Sequence, residues 1–92
     1  MSYRVELTRR AEKGFLALPK RDRRQIGRRL LALADNPRPR GAKALTHPLR
    51  GHYRLRVGDY RIVYTVQDDR LLVIVVRVGP RRSVYGDAER GV

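Results

Sequence analysis

The stretch LLVIVV, residues 71–76, is the feature that most restricts what this chain can fold into. Successive side chains of a strand point to opposite faces, so a continuous aliphatic run is typical of a strand that is buried on both. The run lies between the turn residues QDDR and the pair Gly79-Pro80, and it therefore predicts a central strand over residues 71–78. It is far too short to span a bilayer, which needs about 20 residues.

Three further strands are predicted from shorter patterns. Residues 3–7, YRVEL, alternate apolar and polar side chains and are typical of a half-buried strand. Residues 53–57 and 60–66 read as two strands joined by Gly58-Asp59, which suits a two-residue hairpin turn. The basic segment from Arg38 to about His52 is predicted to be a loop.

Two helices are predicted between the first strand and this loop. Thr8 is the expected N-cap of a short helix, whose apolar face consists of Ala11, Phe15 and Leu18. A second helix, residues 22–34, repeats this spacing at Ile26, Leu30 and Leu33 and ends at the sequence DNPRPRG. We therefore predict one α+β domain over residues 1–92, in the order β-α-α-β-β-β. In it, a helical hairpin packs on a mainly antiparallel four-stranded sheet.

The charge of the chain points to an anionic partner. The 22 Lys and Arg residues outnumber 9 Asp and Glu residues, which leaves a net charge of +13. Nucleic acid is the first candidate, an acidic protein the second and an anionic membrane the third. The amino end, MSYRVELTRR, has no apolar segment typical of a signal peptide, so the expected location is the cytoplasm, without membrane attachment.

The predicted hairpin carries arginines on one face. Tyr53, Leu55 and Val57 alternate with Arg54 and Arg56. If the apolar set packs on the helices, the two arginines point away from them, with Cα atoms about 6.6 Å apart. Arg61, just past the turn, is expected near the same face. The alternative is that these arginines only keep a sheet edge soluble.

The segment after the central strand places Tyr85 close to Arg81 and Arg82. Nearby positive charge lowers the pKa of a phenol, which would let Tyr85 take a proton from a ribose 2′-OH while arginines hold the phosphate. The alternative for Tyr85 is a ring that packs against the sheet.

Other catalytic sets are not expected. The chain has no cysteine, and its His, Asp and Glu residues do not cluster at metal-ligand spacing, so neither a metal nor a cofactor is predicted. His47 and His52 are interpreted as loop residues, although a mechanism that uses both is an alternative. Asp68-Asp69 is interpreted as a turn pair.

Residues 43–87, KALTHPLRGHYRLRVGDYRIVYTVQDDRLLVIVVRVGPRRSVYGD, closely resemble the RelE/ParE toxin superfamily. The combination of YRLRVGDYRIVY, an apolar strand and RRSVY is specific. The resemblance implies a toxin of a type II toxin–antitoxin system that cuts mRNA in the ribosomal A site without a metal, through attack of the 2′-OH on the phosphate. It also implies that Tyr85 acts as general base and that Arg61 and Arg81 stabilise the phosphate.

The resemblance further implies contacts and partners. Arg54 and Arg56 occupy positions where some members carry lysines; together with Arg82 and Lys43 they are expected to bind RNA. The expected partners are the ribosome, mRNA and a cognate antitoxin that is acidic, partly disordered when free, and able to form a hetero-oligomer with the toxin.

Two other functions stay open from the sequence. The ParE branch of the superfamily shares the fold, inhibits DNA gyrase and generally lacks the Arg/Tyr set, so Arg61, Arg81 and Tyr85 favour the nuclease. A non-catalytic RNA-binding module is the third reading, since the net charge predicts it equally well.

Overall fold

A mixed five-stranded sheet with two helices packed on one face forms the structure, a computed structural model that describes residues 2–81. In chain order the elements are β1 (Arg4–Leu7), α1 (Arg9–Leu16), α2 (Lys20–Ala32), β2 (Lys43–Ala44), β3 (His52–Val57), β4 (Tyr60–Gln67) and β5 (Leu72–Pro80). A short 3-10 turn, Asp68–Arg70, joins the last two strands. The α+β architecture is the one that the sequence predicts. Among residues 2–81, no helix is long and apolar enough to cross a membrane.

The strands lie in the order β1-β5-β4-β3-β2. The apolar strand β5 is inside the sheet as predicted, since it pairs in parallel with β1 and antiparallel with β4. The prediction of four strands was wrong, because β2 adds a fifth within the segment expected to be a loop. His52 was also placed wrongly, since it is the first residue of β3. A two-residue strand is too short for periodicity to reveal.

The helices begin close to where the sequence places them. Thr8 caps α1 as predicted, because its Oγ1 accepts a hydrogen bond from the Ala11 amide at 3.1 Å. Pro19 immediately precedes α2, which therefore starts two residues earlier than expected. The core between helices and sheet comprises Ala11, Leu18, Ile26, Leu30, Leu33, Leu55, Val57, Ile62, Tyr64, Val73, Val75 and Val78.

Gly14 sets how closely α1 approaches the sheet. A Cβ atom built at this position would lie 2.2 Å from the carbonyl oxygen of Val78 in β5. Only glycine allows this contact, although a glycine lowers the intrinsic helix stability by about 1 kcal/mol relative to alanine. The residue that weakens the helix pattern in the sequence is thus required by the packing.

A cluster of polar side chains fixes the loop that follows α2. Arg38 donates hydrogen bonds to both carboxylate oxygens of Asp68, at 3.0 and 2.7 Å, and to the hydroxyl of Tyr53 at 2.9 Å. Tyr3 also donates to Asp68, at 2.6 Å. The hydrogen bonds from Arg38 and then from Tyr3 lower the pKa of Asp68 to about 2. Beneath this cluster, the buried Tyr64 hydroxyl donates to the carbonyl of Pro37 at 2.7 Å.

Candidate functional site

The face of the sheet opposite the helices carries the arginines of β3. Leu55 and Val57 are buried in the core between helices and sheet. Arg54 and Arg56 alternate with them and therefore point to the opposite face, as the sequence predicts. Arg56 is exposed, whereas Arg54 is half-buried.

Arg61 joins this pair from the neighbouring strand. In the antiparallel register Arg61 lies directly opposite Arg56 on one side and Gly79 on the other. The turn at Gly58, where φ is +59°, supplies the positive backbone angle that a two-residue hairpin needs. Directly opposite residues of a pair have Cβ atoms about 4.5–5.5 Å apart, so the two arginine side chains leave the sheet next to each other.

A second row of basic residues runs parallel to the first. Lys43 lies opposite Arg54, Arg54 opposite Val63, and Val63 opposite Arg77 of β5. Arg77 was not predicted from the sequence as a site residue. It is the one charged residue in the stretch from 71 to 80, and a charge within a strand predicted to be buried was the signal that could have found it.

The two arginines nearest the centre of the sheet are largely buried. Arg61 has 7% of its surface exposed and Arg77 has 9%, and one guanidinium nitrogen of Arg77 donates to the Val76 carbonyl at 3.0 Å. A guanidinium keeps its proton at any physiological pH, so both carry full charge there. Because a charge interacts more strongly where water is scarce, these positions suit the binding of an anion such as a phosphate.

Arg81 follows β5 directly and is exposed. Its backbone amide donates to the carbonyl of Asp59 in the β3–β4 turn at 3.0 Å. This bond places Arg81 at the end of the sheet where Arg56 and Arg61 lie. The other two predicted residues of this segment, Arg82 and Tyr85, lie outside the described residues.

The remaining predicted candidates do not join this site. His47 lies in the connection between β2 and β3, and His52 lies opposite Thr65, at the other end of the hairpin from Arg56. Asp68 is engaged with Arg38 and Tyr3. The interpretation of Asp68 as a turn residue is consistent with its place at the start of the 3-10 turn.

A groove adjoins the site at the outer edge of β3. It has a volume of about 270 Å³ and is lined by Arg29, Arg40, Gly41, Lys43, Arg54, Leu55 and Arg56. Neither Arg29 nor Arg40 was predicted from the sequence as a site residue. Their approach to β3 is a tertiary contact that no local pattern reveals.

Comparison with known proteins finds close matches along the chain. The family described as "ParE toxin of type II toxin-antitoxin system, parDE" matches residues 5–85. The mRNA interferase toxin RelE of Escherichia coli is 31% identical over 94 residues, which cover 100% of this chain and 99% of that protein.

Solved structures show the same architecture. The toxin–antitoxin complex RelBE2 from Mycobacterium tuberculosis contains a chain that superposes with a TM-score of 0.81 at 29% identity, over 88% of this chain and 93% of that one. The isolated RelE toxin of E. coli superposes with a TM-score of 0.74 at 29% identity, over 97% of both chains.

Proposed function

Because this chain belongs to the RelE/ParE superfamily of type II toxin–antitoxin toxins, we propose that it is an mRNA interferase that cuts mRNA in the ribosomal A site. The observation that carries the proposal is the pairing of Arg56 with Arg61 on the face opposite the helices. Two fixed cations on adjacent strands, with a third at Arg54, form a surface suited to a phosphodiester.

The proposed reaction uses the RNA, these side chains and water. The ribose 2′-OH attacks the neighbouring phosphorus, the bond from phosphorus to the 5′ oxygen of the next nucleotide breaks, and a 2′,3′-cyclic phosphate forms. The 2′ proton passes to a base, and the leaving 5′ oxygen takes up a proton from water. Negative charge builds on the phosphate oxygens in the transition state, where fixed cations stabilise it most.

In this proposal each residue has a distinct role. Arg61 and Arg81 stabilise the charge on the phosphate, while Tyr85 is the general base. Arg54 and Arg56 hold the backbone of the message, with Lys43 and Arg82 as further RNA contacts. Arginine replaces the lysine of some relatives at 54 and 56; it keeps the clamping charge but cannot take part in proton transfer.

The ribosome supplies the geometry that these side chains lack. A tyrosine is a weak base at neutral pH, so the rate depends on an mRNA held with its 2′-OH in line with the scissile bond. A message bound in the A site is held in this way, whereas free single-stranded RNA is not. We therefore expect cleavage to require ribosomes.

A cognate antitoxin completes the proposal. The similar chain from M. tuberculosis is part of a toxin–antitoxin complex. An acidic, partly disordered antitoxin would lower the self-repulsion of a chain with a net charge of +13 and cover its basic face as it folds. Co-purification from the native operon as a hetero-oligomer is the expected result, and recovery of the free chain alone would contradict it.

Primer extension on an mRNA in a cell-free translation system tests the nuclease. Wild-type protein is expected to cut within codons at the A site when ribosomes are present and not when they are left out. Tyr85→Phe is expected to abolish the cuts while binding is kept. An uncut message with folded wild-type protein would exclude the nuclease.

Inhibition of DNA gyrase is a second candidate. The matching family model is described as the ParE toxin, and the ParE branch is the one expected to inhibit gyrase. A supercoiling assay with purified gyrase separates the two functions. Inhibition by a protein that leaves mRNA intact would favour the gyrase target, while unimpeded supercoiling at micromolar protein would remove it.

A further inference from the structure

The groove at the outer edge of β3 exists because β2 is short. β2 pairs only with Tyr53 and Arg54, so Leu55 to Val57 have no strand partner on that side among residues 2–81. Helix α2 approaches this gap with Arg29, and the loop before β2 approaches it with Arg40. The result is a cavity of about 270 Å³, close to the lower end of the 300–1,000 Å³ typical of ligand pockets.

The lining of the groove carries only positive charge. Five of its seven residues are Arg or Lys and none is Asp or Glu. Within residues 2–81, the ion pairs join Arg4 to Glu6 and Arg38 to Asp68, and none involves a cation of the groove. Like charges gathered in this way repel one another, and a polyanion in the groove relieves that repulsion.

The loop that supplies Arg40 is held in place before any ligand binds. Arg38, two residues earlier, is fixed to Asp68 through two hydrogen bonds, at 3.0 and 2.7 Å. The Ala42 amide donates to the Pro39 carbonyl at 3.0 Å, which closes a turn around Arg40. A loop held on both sides loses little conformational entropy when it binds, so the groove is preorganised.

The groove and the proposed cleavage site share a residue. Arg56 lines the groove and is also the cross-strand partner of Arg61. A backbone of phosphates that lies on Arg61 can therefore continue over Arg56 and Arg54 to Arg29 and Arg40. Since successive phosphates of a nucleic acid are the regularly spaced anions that match such a row, the continuity favours RNA over a single small anion.

We infer that the groove binds the phosphodiester backbone of RNA next to the scissile bond, with Arg29 and Arg40 as additional phosphate-binding residues. The inference rests on the proposed function for the identity of the ligand as RNA. The phosphates belong either to the mRNA that is cut or to ribosomal RNA beside it. An acidic segment of a protein partner is the competing occupant, and the test must separate it.

The test compares two double variants that lose the same charge. Arg29→Gln with Arg40→Gln removes two cations of the groove. Arg21→Gln with Arg24→Gln removes two exposed cations of α2 that do not line it. The probe is a short single-stranded RNA with 2′-O-methyl riboses, which cannot be cleaved, and its affinity is measured by fluorescence anisotropy over a series of salt concentrations.

The groove variant is expected to reduce the slope of log affinity against log salt by about 1.4, from two phosphate contacts at about 0.7 each. The control variant is expected to change the slope much less. An equal change in both would show that net charge alone matters and would overturn the inference. The same two variants are then compared for their affinity for ribosomes without mRNA, which identifies the RNA that supplies the phosphates. If the groove variant loses affinity for ribosomes but not for the short RNA, the phosphates belong to ribosomal RNA.

Two further outcomes keep this inference apart from the proposed function. Suppose that the wild-type protein cuts no mRNA but the groove variant shows the reduced slope. The inference that the groove binds RNA is then supported, and the proposed nuclease activity is rejected. If the wild-type protein cuts and the groove variant binds RNA and ribosomes unchanged, the groove inference fails. Weaker binding of the antitoxin with unchanged RNA binding would likewise overturn it and assign the groove to the protein partner.

Discussion

Arg38 and Asp68 are joined by two hydrogen bonds, which tie the loop after α2 to the turn between β4 and β5. The contact spans thirty residues of sequence and brings together the loop that carries Arg40 and the sheet that carries Arg61. It is therefore a structural support for both the groove and the proposed cleavage site, although neither residue belongs to them.

The Asp68→Asn variant is expected to be less stable than the wild-type protein at neutral pH. In acid the two proteins are expected to be equally stable. The pKa of Asp68 is lowered to about 2 in the folded protein, against about 3.9 when unfolded. The stability that this carboxylate contributes is thus fully present above pH 4 and is lost as the pH falls towards 2. Denaturant unfolding of the wild-type and Asp68→Asn proteins at a series of pH values measures how the difference in their free energies of unfolding shrinks in acid.

The neighbouring carboxylate provides the control for this prediction. Asp69 lies in the same exposed turn, and no ion pair joins it to the rest of residues 2–81. Because Asp69→Asn leaves the contact between Arg38 and Asp68 intact, this variant should still lose the stability from that contact as the pH falls towards 2. An Asp68→Asn protein whose stability deficit stays constant down to pH 2 would contradict the role of the Arg38 contact.

Gly14→Ala is expected to destabilise the protein although alanine is the better helix former. The new Cβ would lie 2.2 Å from the Val78 carbonyl oxygen, which is backbone and cannot turn aside. Overpacking of this kind typically costs about 1–3 kcal/mol, which outweighs the gain in helix propensity of about 1 kcal/mol. Thermal and denaturant unfolding measure the difference.

Gly27→Ala is the matched control in the other helix. Its Cβ would lie 3.6 Å from the nearest atom of the Phe15 ring, an ordinary contact. We expect this variant to gain up to about 1 kcal/mol, the difference in helix propensity. Stabilisation by both substitutions would show that α1 does not approach β5 as closely as Gly14 permits.

Tyr64→Phe is expected to destabilise the fold by about 1–3 kcal/mol, because the Pro37 carbonyl loses its donor in a buried setting. The effect should shrink at high pH. Burial raises the pKa of Tyr64 to about 12, so between pH 10 and 12 the wild-type protein loses more stability than the phenylalanine variant, which lacks this group. Unfolding curves in alkaline buffers compare the two proteins, and a constant gap between them would contradict the assignment.

The elements that the sequence predicted and those that it missed differ in what determines them. The strand β5 and the helix faces at Ile26 and Leu30 follow from local patterns of apolar residues, and the structure confirms them. Strand β2, by contrast, is defined only by its pairing with β3. Local sequence patterns therefore predict the helices and the long strands, but not the two-residue edge strand β2.

The same distinction holds for the site. The alternation of Arg54 and Arg56 with apolar residues predicts a common face, and the register with Arg61 bears this out. The sequence does not distinguish Arg29 from the other arginines of α2. Only the structure shows that it lines the groove together with the loop before β2. Residues recruited by tertiary contacts are those that sequence reasoning leaves among the solvated charges.

Arg61→Ala is expected to reduce the rate of mRNA cleavage by about 10²–10³, the loss typical of removing one group that stabilises the transition-state charge. Because the side chain is buried on the face of the sheet opposite the helices, its loss also removes packing, so Arg61→Lys is the informative companion. Lysine keeps the charge but not the bidentate fork, and an intermediate rate is expected. Single-turnover cleavage on programmed ribosomes measures the rate, and circular dichroism checks that each variant folds. Equal rates for wild type and folded Arg61→Ala would remove Arg61 from the reaction and leave the basic face as a binding surface only.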